Sequence, residues 1–443
     1  ALQAEDGAVT GFEYDAARRP VRQHLPDGSV REFTHDARGN VLTASNAEVT
    51  YEFTYDAAGR TTSVTDSRGP WVVRYGYNAA GQRTRMSVEG VGEMRYEYDG
   101  AGRPSKVAAP EGEYVFAYNE SRQRAGVTFP NGMAAAYVHD AAGRLTAIEY
   151  RPPGEEAAVR MEWTYDAAGN VATVNDAEGL HAYAYDDLRR LVSASHPASA
   201  AEAYSYDAAG NRVGSGEEYG DDNRLLAGAG FRYGYDMKGN AVSRESAAGT
   251  AWFDYGFDNR LSGVMMPDGR WAVYKYDPFG RRIEKNVMGT VTRYVYDADR
   301  LLLEVDEPGN VKARYTYRPQ SDEALGMARG GAVYTYMTDG RGNVIGLAGM
   351  DGRVAQMYSH GAFGQDLTVR GGEVENPIVF AMGERDGETG LIHMGARHYD
   401  PSTGRFLQKD PIDLASALNL RQKGHSGRGA SAQAVAGLLM RPA

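Results

Sequence analysis

The chain has 443 residues, a formal net charge of −11 and no cysteine, and it is rich in glycine (55) and tyrosine (30). The acidic balance argues against binding to a nucleic-acid backbone, which requires a concentrated basic face. Without cysteine there are no disulfides or thiolate metal ligands, and no run of about 18 apolar residues predicts a membrane-spanning helix. Abundant glycine and tyrosine instead favour many turns between half-buried strands.

A six-residue pattern of the form Tyr-Asp-x-x-Gly-Asn/Arg recurs along most of the chain. Its clearest copies contain Tyr55, Asp56 and Gly59; Tyr165, Asp166 and Gly169; Tyr206, Asp207 and Gly210; and Tyr276, Asp277 and Gly280. The first position recurs at Tyr14, His35, Tyr55, Tyr77, Tyr98, Tyr118, His139, Tyr165, Tyr185, Tyr206, Tyr235, Phe257, Tyr276, Tyr296 and Tyr317. Most gaps are 19 to 22 residues, a spacing that indicates a repeat protein.

Each repeat predicts one β-hairpin. Met161, Trp163 and Tyr165 alternate with polar residues, which is the period of a strand. In the turn that follows, the aspartate accepts the backbone N–H two residues on, and glycine adopts a positive φ. A second short strand and a second turn, often Asp-Gly as at residues 27–28, complete the unit.

A lone hairpin is marginally stable in water, so the repeats must pair into one continuous sheet. About 17 or 18 units predict some 35 strands, and a twisted sheet of that size cannot remain open and flat. We therefore predict an all-β protein in which residues 1–323 wind into a spiral, shell-like sheet.

The pattern changes from Ala324 onwards. Alternation continues over residues 333–344 and 354–364, and a dense, less repetitive stretch follows at 386–391, 397–401 and 404–412. We predict a second domain at 324–414. No acidic residue follows Asp413, and we predict that residues 415–443 form a loosely ordered, low-complexity tail with a short helix at 432–440.

These motifs resemble the YD repeats of Rhs proteins, of the C component of insecticidal toxin complexes and of animal teneurins. Residues 386–412 look like the Rhs repeat-associated core domain, and the resemblance extends from about residue 11 to residue 414. It implies a β-shell that encloses a C-terminal toxin domain, with the core domain capping one end. It also implies a bacterial protein exported to the cell surface or beyond for interbacterial competition. The partners it implies are the enclosed toxin, flanking shell segments, and a secretion machine or toxin complex.

In several members of this family the core domain cleaves its own chain by an aspartyl-type reaction. The best carboxylates for such a pair here are Asp400 and Asp410, each before a proline, with Arg397 and Arg405 to pair with them. Alternatively, each Asp-Pro starts a turn and the arginines form structural ion pairs. The family's second Asp-Pro-x-Gly-Leu motif is absent. We therefore expect an incomplete cleavage centre, no enzymatic activity, and a piece of a longer protein.

No cofactor or metal site is predicted. The repeats offer one aspartate per turn, whereas Ca²⁺ loops need several carboxylates. His393 and His398, five residues apart on one strand, are predicted to lie on opposite faces. Tyrosine rows indicate either cross-strand packing or a carbohydrate platform. The main hypothesis is thus an encapsulating shell, the second a surface adhesion protein that binds carbohydrate or protein on its outer wall, and the third an autoprotease.

Overall fold

In a computed structural model of the chain, the structure describes residues 2–3, 9–154, 159–197 and 199–409. These residues form 42 β-strands and two short 3-10 turns, Asp221–Asn223 and Phe380–Met382, so the predicted all-β class is confirmed. Neither turn approaches the length and apolarity that a membrane-crossing helix requires. Asp410, the tail at 415–443 and the helix predicted at 432–440 lie outside the described residues.

The first sheet contains 20 strands, each antiparallel to the next in sequence. They are β1 (Leu2–Gln3), β2 (Val9–Tyr14), β3 (Pro20–His24), β4 (Val30–His35), β5 (Val41–Ser45), β6 (Thr50–Tyr55), β7 (Thr61–Asp66), β8 (Val72–Tyr77), β9 (Arg83–Val88), β10 (Gly92–Tyr98), β11 (Pro104–Ala109), β12 (Gly112–Tyr118), β13 (Arg124–Thr128), β14 (Ala134–His139), β15 (Leu145–Arg151), β16 (Val159–Tyr165), β17 (Val171–Asp176), β18 (Gly179–Tyr185), β19 (Leu191–Ser195) and β20 (Glu202–Ala203).

A two-stranded ribbon, β21 (Ser205–Tyr206) and β22 (Arg212–Val213), leads into a second sheet of 16 strands and a final sheet of four. The second sheet comprises β23 (Glu218–Tyr219), β24 (Leu225–Gly228), β25 (Phe231–Tyr235), β26 (Ala241–Ser246), β27 (Gly249–Tyr255), β28 (Leu261–Met265), β29 (Trp271–Tyr276), β30 (Arg282–Val287), β31 (Thr290–Asp297), β32 (Arg300–Asp306), β33 (Val311–Tyr317), β34 (Ala324–Arg329), β35 (Ala332–Thr338), β36 (Val344–Gly349), β37 (Val354–His360) and β38 (Asp366–Gly371). The final sheet comprises β39 (Glu384–Arg385), β40 (Ile392–Met394), β41 (Arg397–Asp400) and β42 (Arg405–Phe406).

The typical repeat turn is closed by its aspartate. Asp166 Oδ1 accepts the backbone N–H of Ala168 at 2.9 Å and of Asn170 at 2.8 Å, and Oδ2 accepts the Asn170 side chain at 2.9 Å. Gly169 has φ +84°, which an L side chain rarely adopts. The corresponding aspartates, each with a positive-φ glycine three residues on, are Asp56, Asp207 and Asp277.

The tyrosine and the last residue of the repeat join one hairpin to the next, a role that the sequence analysis did not assign. The Tyr165 hydroxyl donates to the Leu145 carbonyl at 2.5 Å, and Tyr55, Tyr206 and Tyr276 make the equivalent bond. In the opposite direction, the guanidinium of Arg60 reaches the Asn78 carbonyl at 3.0 Å and lies 4.8 Å from the centre of the Tyr77 ring.

One repeat is shifted relative to the sequence alignment. Strand β27 ends at Tyr255, whose hydroxyl donates to the Ala241 carbonyl at 2.9 Å, so Tyr255 holds the repeat position that was assigned to Phe257. The turn runs from Gly256 to Arg260. The assignment to Phe257 was wrong because Gly256 replaces the usual aspartate and the alignment followed Asp258 instead.

The second sheet runs alongside the first as the next turn of a spiral. Side chains of the two sheets meet at sequence separations of 227 (Arg31 and Asp258), 214 (Arg83 and Asp297), 199 (Arg124 and Glu323) and 188 (Tyr150 and Thr338). One turn thus corresponds to the 20 strands of the first sheet. The predicted spiral is confirmed.

The core lies between the two turns. One cluster joins Tyr96 and Trp163 of the first sheet to Leu303 and Met337 of the second, and another joins residues of β4–β6 to tyrosines of β31–β35. The opposite face of the first sheet carries solvent-exposed ion pairs such as Arg85–Glu93 and Arg160–Glu162. The second turn therefore packs against the inner face of the first.

Two aspartates with the same bonds but different burial give the first prediction. Asp277 is fully buried and binds Phe279 N, Arg281 N and Arg281 Nε at 2.9, 2.9 and 2.6 Å, while Asp56 makes the same three bonds in an exposed turn. Asp277→Ala is expected to cost about 2–3 kcal/mol because it leaves the Arg281 charge unpaired near the core. Urea unfolding should show a smaller loss for Asp56→Ala, and equal losses would contradict the account.

Candidate functional site: the C-terminal segment on the wall

Residues 376–409 break the repeat and fold back over the second sheet; we call them the C-terminal segment. Its backbone bonds to the second sheet at three points. Val344 N donates to Val379 O at 2.9 Å, Met382 N to Gly342 O at 2.7 Å, and Ala241 N to Leu407 O at 2.8 Å. Leu407 and Leu391 enter an apolar cluster with Phe253 and Tyr274, among other residues. The segment therefore covers the inner face of strands β26–β29.

Two cations on β30 hold three carboxylates of the C-terminal segment. Arg282, only 1% exposed, contacts Asp386 Oδ2 at 2.6 Å and Glu384 Oε2 at 3.1 Å. The Lys285 ammonium lies 3.1 Å from Asp386 Oδ1 and 3.2 Å from Glu388 Oε2. Since the partners lie about 100 residues apart in sequence, this cluster fixes the segment to the wall.

The charges of this cluster stabilise one another. Burial by itself raises the pKa of Asp386, but Arg282, Lys285 and His398 lower it far below its usual range. Burial likewise lowers the pKa of Lys285, but Asp386, Tyr294 and Glu388 together raise it above its ordinary value. Asp386 and Lys285 are therefore ionised at neutral pH, and an unpaired member would be a buried charge.

His393 and His398 are brought together, so the prediction that they lie on opposite faces was wrong. Strands β40 and β41 form a hairpin turning at Gly395 (φ +65°), and the two histidines pair directly, with ring centres 5.1 Å apart. His393 Nδ1 lies 3.5 Å from Glu384, and His398 Nε2 lies 3.7 Å from Asp386. In the described ranges, no three histidine, aspartate or glutamate side chains are arranged to hold a metal ion.

Asp400, a predicted catalytic carboxylate, is 2% exposed and contacts the wall. Its Oδ2 lies 2.8 Å from the Arg244 guanidinium and accepts a hydrogen bond from the Tyr233 hydroxyl at 3.3 Å. Its Oδ1 accepts the backbone N–H of Ser402 at 2.9 Å and the Ser402 hydroxyl at 2.5 Å. Asp400 thus closes a turn and binds a cation of the second sheet at the same time.

The other three predicted residues are placed as follows. The Arg397 guanidinium lies 3.8 Å from the centre of the Phe406 ring. Arg405 donates to the Asn223 carbonyl at 2.8 Å, and Asp410 lies outside the described residues. The pairing of Asp400 with Asp410 for acid–base chemistry therefore stays a prediction.

Sequence reasoning missed the wall's half of the site, namely Arg244, Arg282 and Lys285. All three lie in ordinary repeat strands, where a basic residue indicates an exposed face. Neighbouring residues of a strand lie on opposite faces, and Ile283, directly after Arg282, is 1% exposed. The sequence of β30 alone would therefore place Ile283 in the core and Arg282 on the exposed face. The only signal was the excess of acids at 384–388, which demands cations from elsewhere in the chain.

A buried histidine next to the C-terminal segment gives a pH prediction. The His360 ring stacks beside Tyr358 and packs against Phe380 in a T-shaped arrangement, with ring centres 6.0 Å apart. Its Nε2 atom lies 3.1 Å from the Val344 carbonyl oxygen. Burial lowers its pKa to about 4. Because the unfolded value is about 6.5, the unfolded chain binds the proton first, so this contribution to stability is full above pH 6.5 and is lost as pH falls towards about 4.

At pH 5 this protonation is expected to cost about 2 kcal/mol of stability. His360→Gln, which retains an N–H for Val344, should reduce the loss between neutral pH and pH 5 by that amount in urea unfolding. His24→Gln, at an exposed histidine on β3, serves as the control and should retain the loss attributed to His360. A His360→Gln profile parallel to wild type would contradict the assignment.

Known proteins share both the sequence pattern and the fold. The family model described as Teneurin YD-shell matches residues 153–423, and the model described as RHS Repeat matches 35–70 and 55–90. Double-stranded DNA deaminase toxin A of Burkholderia cenocepacia is 26% identical, over 94% of this chain and 37% of its own length. The probable deoxyribonuclease RhsB of Dickeya dadantii is 27% identical, over 91% and 28%.

Among solved structures, the Photorhabdus luminescens Tc holotoxin pore matches 98% of this chain with a TM-score of 0.73 and 15% identity, over 27% of its own length. At that identity the match shows a shared fold. The chain spans about a third of the length of the relatives it matches.

Proposed function

The chain belongs to the teneurin YD-shell family and carries RHS repeats near its N-terminal end, and from this we propose that it is a structural segment of a shell that encloses a C-terminal toxin domain. Two of the relatives it resembles are, by name, a toxin and a probable nuclease. In this proposal the chain itself is not an enzyme. It acts as a container in an exported bacterial particle that delivers the toxin to other cells, in contact with a secretion machine or toxin complex.

The observation that carries the proposal is where the described chain ends. Leu407 is bonded to Ala241 and packed among inner-face side chains, and the Lys409 side chain lies beside Gly239. Leu407 therefore lies on the inner side of the second turn, two residues before the described chain ends at the exposed Lys409. This supports the interior of the spiral as the place of the cargo.

We further propose that the two turns form the closing end of the shell. Here the second turn packs against the first, and the C-terminal segment covers the inner face of the second turn, so the wall is two to three layers thick. Strands β34–β38 continue the second sheet, whereas the sheet β39–β42 is separate. Residues 324–414 would thus contribute both to the wall and to the cap.

Limited trypsin digestion tests enclosure. Arg421, Lys423 and Arg428 follow the described chain, and enclosure predicts that mass spectrometry finds them uncut in the native protein and cut after unfolding. Arg244→Met, which removes the cation on Asp400, should expose them. Arg232→Met removes an exposed arginine of the neighbouring strand β25 and should not. Rapid native cleavage at all three sites in wild type would overturn the proposal.

A second candidate, a carbohydrate-binding outer wall, is favoured by one observation. Trp252, Met265 and Trp271 are directly paired across β27–β29 on the outer face, and Trp252 is 55% exposed. Flat indole faces stack well on sugar rings. A glycan array with wild type and Trp252→Ala checks it: binding that is lost in the variant is the expected result, and an array without binders would remove this candidate.

A further inference from the structure

Four titratable side chains lie in a row across the last four strands of the first turn, β17 to β20. Asp176 Oδ1 lies 3.1 Å from His181 Nε2, the Nδ1 atoms of His181 and His196 are 2.8 Å apart, and His196 Nε2 lies 3.2 Å from Glu202 Oε1. His181 and His196 are 4% and 6% exposed. Neither the repeat pattern nor the proposed container function requires such an arrangement.

The geometry constrains where protons can sit on the two imidazoles. His181 Nε2 is hydrogen-bonded to the Asp176 carboxylate and therefore carries a hydrogen, while His196 Nε2 faces Glu202 at 3.2 Å. Two nitrogens 2.8 Å apart need one hydrogen between them, because two lone pairs or two N–H groups would repel. With a hydrogen on each Nε2 as well, the pair holds three ring protons and one positive charge.

The flanking carboxylates are anionic, with one beside each imidazole. Burial raises the pKa of Asp176, but the hydrogen bond from His181 and neighbouring N–H groups lower it below its usual value. Glu202 behaves alike, with His196 and Tyr204 as the groups that lower its pKa against burial. The pair is therefore a built charge relay, not two isolated core histidines.

The relay faces the second turn of the spiral. His181 lines a partly open cavity of about 90 Å³ between strands β16–β18 of the first turn and β36–β37 of the second. The charged or titratable groups around the pair are Asp176, Tyr183, Glu202, Tyr204, Arg212, Asp339, Arg341 and His360. Any added charge on the pair thus acts on the contact between the two turns.

We propose that His181 and His196 share one proton through their Nδ1 atoms, and that uptake of a second proton in mild acid opens this end of the hairpin β18–β19. The second proton places two N–H groups against each other and two positive charges on adjacent rings. Histidine is the side chain that ordinarily gains a proton between pH 5 and 8. The relay is therefore an acid-sensitive latch at the end of the first turn, where Glu202 of β20 faces His196.

Hydrogen exchange measured by mass spectrometry on the intact protein tests the latch. After correction for the intrinsic rate, amides of β18 and β19 are expected to exchange at least about tenfold faster at pH 5.5 than at pH 7.5, which corresponds to about 1.4 kcal/mol. His196→Gln replaces one imidazole by an amide that does not titrate, and should abolish this acceleration. His181→Gln is the second variant if His196→Gln does not fold.

Controls separate the latch from general acid loosening. Strands β6 and β7, far from the relay, should show no comparable acceleration, and His24→Gln at an exposed histidine should behave as wild type. An acceleration that persists in His196→Gln, or none in wild type, would overturn the proposal. Slowed exchange on adding Zn²⁺ at pH 7.5, lost in His196→Gln, would also overturn it, because a metal would then occupy the gap. None of these readouts depends on cargo.

Discussion

Replacing Arg282 by methionine is expected to lower the free energy of unfolding by about 3–5 kcal/mol, the loss typical of breaking a buried ion pair from one side. Arg282 is 1% exposed and holds Asp386, which is fully buried, at 2.6 Å. Methionine fills much of the same volume, so the loss of stability measures the cost of leaving the carboxylates without their guanidinium partner. Urea unfolding followed by tryptophan fluorescence measures it.

Two further variants make the Arg282 result interpretable. Arg270→Met removes an exposed ion pair with Asp268 in the same sheet and should cost less than about 1 kcal/mol. In the double variant Arg282→Met with Asp386→Asn the stranded charge disappears, so the combined loss should be well below the sum of the single losses. Additive losses would show that the cluster does not act as a unit.

Replacing Tyr150 by alanine is expected to cost about 3–5 kcal/mol, because it removes a large buried side chain from the contact between the two turns. The Tyr150 hydroxyl also donates to the Thr338 carbonyl and accepts from the Thr338 N–H, both at 2.8 Å. Tyr150→Phe keeps the ring and loses only these bonds, at a cost of about 1–3 kcal/mol.

Thermal unfolding of the Tyr150 variants, with Tyr14→Ala as a control, checks this prediction. Tyr14 is 54% exposed, so its loss should change the midpoint little. If Tyr150→Ala and Tyr14→Ala were equally mild, the second turn would not be packed on the first in solution. The spiral would then have to be revised, although the hairpins would remain.

The hairpins were predictable because their causes are local. An aspartate such as Asp166 bonds to amides two and four residues away, and alternation sets which side chains face inward. The winding into a spiral followed from sheet twist. The separation between turns did not follow, because small twists accumulated over 20 strands decide which residues meet.

The candidate site was less predictable, because most of its contacts join distant segments. Arg282 and Asp386 are separated by 104 residues, and nothing in the local pattern of β30 indicates that its cation faces inward. His393 and His398 were misplaced for a local reason, since Gly395 reverses the chain between them. The repeat rules fail where a glycine changes role, as at Gly256 and Gly395.

The spacing between spiral turns also determines how the protein emerges from the ribosome. The inner face of the first sheet is covered by residues that come about 190 to 230 positions later. At a synthesis rate of about 5–20 residues per second, that apolar face stays uncovered for about 10–45 s. During this interval the nascent chain exposes rows of tyrosine, tryptophan and valine side chains that are buried in the folded structure.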